Sequence, residues 1–297
     1  MAILTIAIPS LNGNSVIGKL LESISRCIDD DTIRDIKIMV FDNGSTIPLD
    51  ETCLNPLISK GVNVSLKRFP NNLGYDRNIF RIVGFIESDY VWFLADDDTL
   101  LIDSFRMILD ILTNSDRSIL AIVLKALHDS ADYQTEILDV SYFNDVPSYL
   151  QTVFLEVSLV STLILKTSVI QPPSSKYVGL DWGHVALLLE ICKRNKDGLF
   201  AFVKTHCVGV GVLPDRWSEH FGDGAVTALK HLVLMYGFRR LFPREFVLKF
   251  YLGRRFGRRF LLNSLLGFST KKYRHGLVLF YYELILLKSK IVTRNLL

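Results

Sequence analysis

The chain begins with a short, nearly unbroken apolar run, AILTIAIP at residues 2–9, which predicts a strand. In the next segment, SVIGKLLESISRCI, Val16, Leu20, Leu21, Ile24 and Ile28 recur at helical spacing and fall on one face. The alternation continues. DIKIMVFD and VNVSLKRF read as strands, DRNIFRIVGFIE as a helix, YVWFLAD as a fourth strand and IDSFRMILDILT as a further helix. Strands alternating with helices predict βαβ units, a mostly parallel sheet and right-handed crossovers.

Beyond residue 125 the pattern is less regular. QTEILDV and LVSTLILK read as strands, the second preceded by a helix around Tyr149–Glu156. LDWGHVALLLEICKRN reads as a helix with Val185, Leu188, Leu189 and Cys192 inward, and LFAFVK as another strand. Pro172-Pro173 is the best hinge, and after Arg216 the chain interleaves apolar and basic residues on helical segments.

Open α/β sheets bind ligands beyond the carboxyl ends of their strands. Three of the most polar clusters, SLNGN, DNGST and DDDT, stand at predicted strand ends. In the last, Asp96 and Asp98 project the same way if the strand's alternation runs on, with Asp97 elsewhere. Two carboxylates on one side suit a hard cation such as Mg²⁺ or Mn²⁺ that also takes phosphate oxygens. Equally, Asp98 or Asp103 can cap the following helix. DDDTL also resembles the DxDxT nucleophile loop of haloacid-dehalogenase-type phosphatases, but its threonine is displaced and it follows the fourth strand rather than the first. At the end of the second strand, Asp42 can take an imide N–H from a pyrimidine base or close an Asx-turn. NNLGYDRN precedes a helix whose N-terminal amides favour an anion. There Arg77 can reach a phosphate and Asp76 sugar hydroxyls, or Asn72 and Asp76 can simply cap the helix.

Composition narrows the classes. Of 297 residues, 49% are apolar and 22% charged, a globular balance with ample core. Cys27, Cys53, Cys192 and Cys207 are scattered without CxxC, which argues against structural zinc and a disulfide framework and for reduced thiols in a cytoplasmic protein. MAILTIAIPS has no basic start of a secretory signal. The apolar run GLVLFYYELILL is too short to span a bilayer, which needs roughly twenty residues. The overall charge of +3 is uneven: from Lys230 onward fifteen Lys and Arg face two acids, Glu245 and Glu283, a net of +13. The first 229 residues therefore carry −10, an acidic part suited to a metal and a basic part suited to something anionic.

Taken in order, TIAIPSLN, FDNGST, NNLGYDRN and YVWFLADDDTL closely resemble the motif series of the family 2 glycosyltransferases of the GT-A fold, over about residues 3–110. Within that family the resemblance is to small bacterial enzymes of O-antigen and capsule synthesis. It implies a GT-A domain over residues 1–215, with a nucleotide-sugar half at about 1–110 and an acceptor half at about 111–215, followed by a basic helical region at 216–297. It implies that Pro9, Ser10 and Asn12 border the nucleotide, that Asp42 reads the base, and that Asn72, Gly74, Asp76 and Arg77 lie near sugar and diphosphate. Asp96 and Asp97 would then lie at the nucleotide, and Asp98 with Asp96 would hold Mn²⁺ or Mg²⁺. One departure is that SLNGNSV offers Asn14 and Ser15 where many relatives carry an acidic residue.

Inverting transfer needs a base for the acceptor hydroxyl. The resemblance points to an acid near the start of a helix in the second half, and VGLDWGHVALL supplies Asp181, with His184 as runner-up on the same face. Trp182 fits either an acceptor sugar or the core, and His206 and His220 are lesser approaches to the diphosphate. The expected partners are a nucleotide-diphosphate sugar, with UDP or dTDP favoured, a glycan or polyprenyl-diphosphate-linked acceptor, and an anionic membrane surface for the basic region at the inner face of the cytoplasmic membrane. Nucleic acid is not expected, and a homo-oligomer is left open. The rivals are a sugar-nucleotidyltransferase, whose glycine-rich basic signature PSLNGNS lacks, and an inactive nucleotide-sugar-binding scaffold.

Overall fold

The computed structural model describes residues 2–114, 118–127, 137–154, 156–171, 175–211 and 241. Pro172-Pro173, His220 and, Leu241 aside, the basic segment from Lys230 lie outside the described residues. The chain divides into two units, Met1–Pro214 and Asp215–Leu297, and the strands and helices named here belong to the first.

Nine strands form one mixed sheet. Strands β1 (Leu4–Ser10), β2 (Ile36–Asp42), β3 (Val64–Arg68) and β4 (Tyr90–Phe93) pair in parallel in the order β3-β2-β1-β4. The sheet continues through β8 (Leu163–Lys166), antiparallel to β4, then β6 (Ile119–Leu127) and β9 (Leu199–Gly209), which run parallel to each other. Two short strands, β5 (Thr99–Leu100) and β7 (Val140–Phe143), both pair antiparallel with β9. Helices α1 (Ile17–Cys27), α2 (Asn55–Ile58), α3 (Tyr75–Val83), α4 (Ser104–Asn114), α5 (Val146–Val153) and α6 (Gly183–Arg194) complete the unit.

The central strands follow from composition. Every residue of β4 is buried, as is all of β1 except Pro9, which suits strands covered on both sides. Helix α1 turns Ile17, Leu20, Leu21 and Ile24 inward, the face the spacing predicts, although Val16 is only partly covered. Each such side chain contributes about 1.5–3 kcal/mol on burial. Trp92, fully buried in this core, is satisfied: it donates its indole N–H to the Ser161 carbonyl at 2.8 Å.

Several boundaries differ from the sequence expectation. Helix α6 begins at Gly183, not Leu180, because Asp181 takes φ of +60° and breaks the helical path. The apolar strand before the aspartates ends at Phe93, and Asp96-Asp97 form a turn that returns as β5. Residues 160–162 of LVSTLILK form a 3-10 turn before β8. Strand β6 has a continuous apolar run, which periodicity alone cannot separate from a buried helix. The expected strand QTEILDV falls partly outside the described residues; its last residue, Val140, opens β7.

Register places the polar ends together. In β1 and β2 the pairing runs from Leu4 opposite Ile36 to Ser10 opposite Asp42, so both chains end level. Between β1 and β4, Ala7 lies opposite Phe93, so Ser10 and Asp96 stand three residues beyond the same rung. Gly44 makes the next loop possible: its φ is +76°, and a Cβ there would lie 2.5 Å from the Asn71 carbonyl carbon and 2.6 Å from the Asn72 nitrogen. Gly61 has nearly the same φ, +75°, with nothing within 4 Å of its Cβ position. Gly61→Ala should therefore cost about 1 kcal/mol of backbone strain, and Gly44→Ala at least ~2 kcal/mol because two loops must also separate. Urea unfolding of the two variants checks the difference.

Candidate active site

The carboxyl ends of β1, β2 and β3 carry loops that hydrogen-bond to one another. Asn12 takes φ of +55° and donates its backbone N–H to Ser45 Oγ at 2.8 Å, while its side-chain oxygen accepts the Thr46 N–H at 3.0 Å. Asn43 donates to Asn72 Oδ1 at 3.0 Å and accepts from the Leu73 amide at 3.3 Å. Asn72 Oδ1 also accepts the Gly74 N–H at 2.8 Å, setting the start of α3. Asn12 and Asn72 are exposed and Pro9 is partly so.

Asp42 lies fully inside this network. Its carboxylate accepts the Ser45 N–H at 2.8 Å and the Leu49 N–H at 3.3 Å, and Arg68 stands 3.7 Å away. The side chain expected to read a base therefore also closes the 43–49 loop, because a buried carboxylate has to be given donors. It shapes that loop from beneath.

The aspartate turn is built from three directions. Ser10 donates to Asp96 Oδ2 at 2.5 Å, and Gly13 packs so closely that a Cβ there would sit 2.3 Å from the same oxygen. Asp98 accepts from Ser161 Oγ at 2.5 Å and from the Gly211 N–H at 2.9 Å. Gly211 crosses the turn so tightly that its Cβ would fall 1.9 Å from the Asp97 carbonyl. Asp96 and Asp98 are buried and Asp97 is partly exposed. Burial, together with the charges of Asp97 and Asp96, pushes the Asp98 carboxyl up to about 6 against the pull of its two donors.

Does this donor set fit a cation? Each oxygen of Asp98 accepts one hydrogen bond, which leaves a lone pair on each. Neither Asp97 nor Asp98 has a basic ion-pair partner among the described residues. The charge excess and the oxygen chemistry fit a hard divalent ion. No group of three or more His, Cys, Asp or Glu residues able to hold a metal occurs among the described residues, so a ligand would have to complete the coordination.

The second part of the site is the loop before α6. Asp76, in the first turn of α3 and 2% exposed, accepts four backbone amides. Gly179 N–H (2.6 Å), Leu180 N–H (2.9 Å) and Asp181 N–H (3.0 Å) reach Oδ2, and Gly183 N–H (2.7 Å) reaches Oδ1. This corrects the expectation that Asp76 takes sugar hydroxyls, since its acceptors already hold the 179–183 loop. Burial raises its carboxyl above the ordinary range against the opposing pull of these amides. Asp181, carried by the loop, is partly exposed; Arg77 is exposed one residue beyond Asp76.

His184 is 3% exposed and engaged at both ring nitrogens. Nε2 lies 3.1 Å from the Val157 carbonyl, which can only accept, so Nε2 carries the proton; Nδ1 then accepts from the Tyr75 hydroxyl at 2.8 Å. Burial, then the charges of Asp76 and Asp181, holds the Tyr75 hydroxyl well above its usual range and keeps it a donor. That arrangement makes His184 a packing and orienting residue and corrects its expected role as a base. Trp182 is buried beside it, ring centroids 6.0 Å apart, as a core residue. His206 lies within β9, paired in register with Lys125.

Sequence reasoning missed Ser161, Gly211, Tyr75 and the Val157 carbonyl. Only Gly211 left a trace, in the closely spaced glycines of GVGVL; the others depend on contacts between distant segments.

Because native Asp98 binds its proton more tightly than the unfolded chain does, its ionisation lowers stability as pH rises from about 4, and the loss is complete above about 6. Asp98→Asn should therefore be more stable than the parent by roughly 1–3 kcal/mol at pH 7.5, with the advantage gone at pH 4. Thermal unfolding of both proteins across that range measures it.

A family model described as glycosyl transferase family 2 matches residues 5–154, half of the chain. Among solved structures, S. aureus TarS 1-349 in complex with UDP aligns with a TM-score of 0.56 at 14% identity, covering 86% of this chain and 73% of that one. The same fragment in complex with UDP-GlcNAc gives 0.51 at 14% identity, over 87% and 74%. A longer S. aureus TarS structure gives 0.56 at 15% identity, and this match covers 87% of the present chain but only 44% of that one. These likenesses establish a common GT-A fold. No curated protein matches the chain. With the family match lying over the parallel strands, the loop network and the aspartate turn, the chain belongs to glycosyl transferase family 2.

Proposed function

We propose that the chain is an inverting glycosyltransferase that moves a sugar from a nucleotide-diphosphate donor to a hydroxyl of a glycan or lipid-linked acceptor in surface polysaccharide synthesis. The observation that carries this is the link between the aspartate turn and the Asp181 loop. Both are tied to residues 157–161: Ser161 holds Asp98, and the Val157 carbonyl holds His184, three residues from Asp181. Two carboxylate stations joined by one rigid segment suit a reaction with a diphosphate leaving on one side and a hydroxyl arriving on the other.

The donor diphosphate would lie at the Asp96–Asp98 turn, with the nucleotide along the loops after β1 and β2 and Arg77 within reach of a phosphate. UDP or dTDP is favoured, in keeping with the UDP complexes of the TarS fold relatives. Asp98 and Asp96 would hold Mn²⁺ or Mg²⁺, which when bound neutralises charge on the departing diphosphate. Asp181 accepts the proton of the acceptor hydroxyl as that oxygen attacks the anomeric carbon from the face opposite the diphosphate. Its loop is fixed by Asp76, so the base is presented without reorganisation. The basic region, with a net of +13 from Lys230 onward, suits an anionic membrane surface bearing a polyprenyl-linked acceptor. No helix among the described residues is long and apolar enough to cross a membrane.

Calorimetry with UDP, dTDP, GDP and CDP, with and without Mn²⁺, should show one nucleotide binding in a metal-dependent way, at least about tenfold weaker in Asp98→Ala. Asp181→Ala should keep that binding and lose about 10²–10⁴ in transfer rate. Binding that ignores metal and Asp98 removes the donor site. Binding without transfer from any donor favours a nucleotide-sugar-binding scaffold, and release of diphosphate from a nucleoside triphosphate with sugar phosphate favours a nucleotidyltransferase.

A further inference from the structure

We infer that Asp76 is a positioning residue: it does not touch the donor but holds Asp181 in the one backbone conformation that aims it at the acceptor. The inference rests on the proposed role of Asp181 as base and concerns how this chain presents it.

The geometry is specific. A single carboxylate, 2% exposed, accepts four successive or near-successive amides, from Gly179, Leu180, Asp181 and Gly183. Amides converge on one point only when the backbone is curled, and the curl is visible in φ of +87° at Gly179 and +60° at Asp181. The left-handed conformation is unfavourable for residues other than glycine, though least so for Asp and Asn, and four amides aimed at one anion hold it in place. The anion imposes it here, since each amide turned toward Asp76 is one that a relaxed loop would direct elsewhere. The fit is also close, because a Cβ on Gly183 would lie 3.0 Å from the Asp76 Cα and 3.1 Å from its Oδ1. A second contact from the same turn of α3, the Tyr75 hydroxyl on His184 Nδ1 at 2.8 Å, stops the start of α6 from swinging about this anchor.

Asp76 therefore acts across the two halves of the site. Helix α3 begins just after Gly74, whose amide is fixed by Asn72, which Asn43 in turn fixes at the end of β2. The loop network that faces the nucleotide thus sets the position of Asp76, and Asp76 sets the position of the base. Asparagine at 76 keeps the shape but has one acceptor oxygen and places an N–H₂ group against amide donors, so the curl opens.

The test uses the full chain and measures UDP release from a panel of UDP-sugars, UDP-glucose, UDP-galactose and UDP-GlcNAc, with water as acceptor. It compares the parent, Asp76→Asn, Asp181→Ala and the double variant, and follows amide exchange at residues 179–183. Asp76→Asn should lower kcat about 100-fold, as for a misplacement of about 1 Å, while KM for the UDP-sugar stays within about twofold. In the Asp181→Ala background the same change should cost nothing further. Gly183→Ala, which crowds the carboxylate without removing it, should lower kcat in the same way and serves if Asp76→Asn does not fold. In the parent, the four amides should be protected from exchange. Full kcat in Asp76→Asn with Asp181→Ala inactive overturns the inference, as does an undiminished further loss in the double variant or unprotected amides in the parent. Turnover surviving in Asp181→Ala overturns the base assignment itself, a result distinct from the others.

Discussion

A carboxylate taken out of water must be given donors or a cation, and this requirement organises the molecule. Asp42, Asp76, Asp96 and Asp98 are all buried near the carboxyl edge of the parallel strands. An isolated buried charge is far too costly to tolerate, so each draws in donors: Ser45 and Leu49 of its own loop for Asp42, and distant segments for the others, the 179–183 amides for Asp76, Ser10 for Asp96, and Ser161 with Gly211 for Asp98. The loops are held by the charges they surround. The apolar sheet beneath contributes most of the folding free energy, but the form of the crevice is an electrostatic result.

The satisfaction is unequal, and the inequality has functional content. Asp42 is ringed by amides and a guanidinium, and Asp76 by four amides. At the aspartate turn the carboxyls crowd one another, and Asp98 is pushed up to about 6. A fold selected for stability alone would remove such a turn; a site that receives a cation with a diphosphate gains from it. Residues 157–161 then relay order, since one short segment supplies the hydroxyl on Asp98, the carbonyl on the Trp92 indole and the carbonyl on His184.

Much of this was legible in the sequence. The alternation of apolar runs and amphipathic helices gave the βαβ half, because β1, β2 and α1 each carry their own period. The polar clusters at strand ends pointed to the edge where the candidate site is built, because parallel register brings Ser10, Asp42 and Asp96 level. What side chains do there was less legible. Asp76 looked like a ligand contact, since sequence shows a carboxylate at a loop but not the amides that converge on it from residues 179–183, and the structural part of Asp42, closing the 45–49 loop, was one of two readings the sequence left open. His184 looked like a base because nothing in VGLDWGHVALL reveals Tyr75 and Val157 on its two nitrogens. Strand β6 was obscured for a simpler reason: it is apolar on both faces.

If the carboxylate turn at 96–98 and the Asp181 loop are two walls of one transfer site, a bound donor must lie between them. A crystal structure of the protein grown with UDP and Mn²⁺ tests this most directly. The diphosphate is expected against the Asp96–Asp98 turn, the metal on Asp98, and the Asp181 carboxylate facing the open side of the β-phosphate. A nucleotide bound away from the carboxyl ends of β1 and β2, or Asp181 turned from the bound diphosphate, would contradict it.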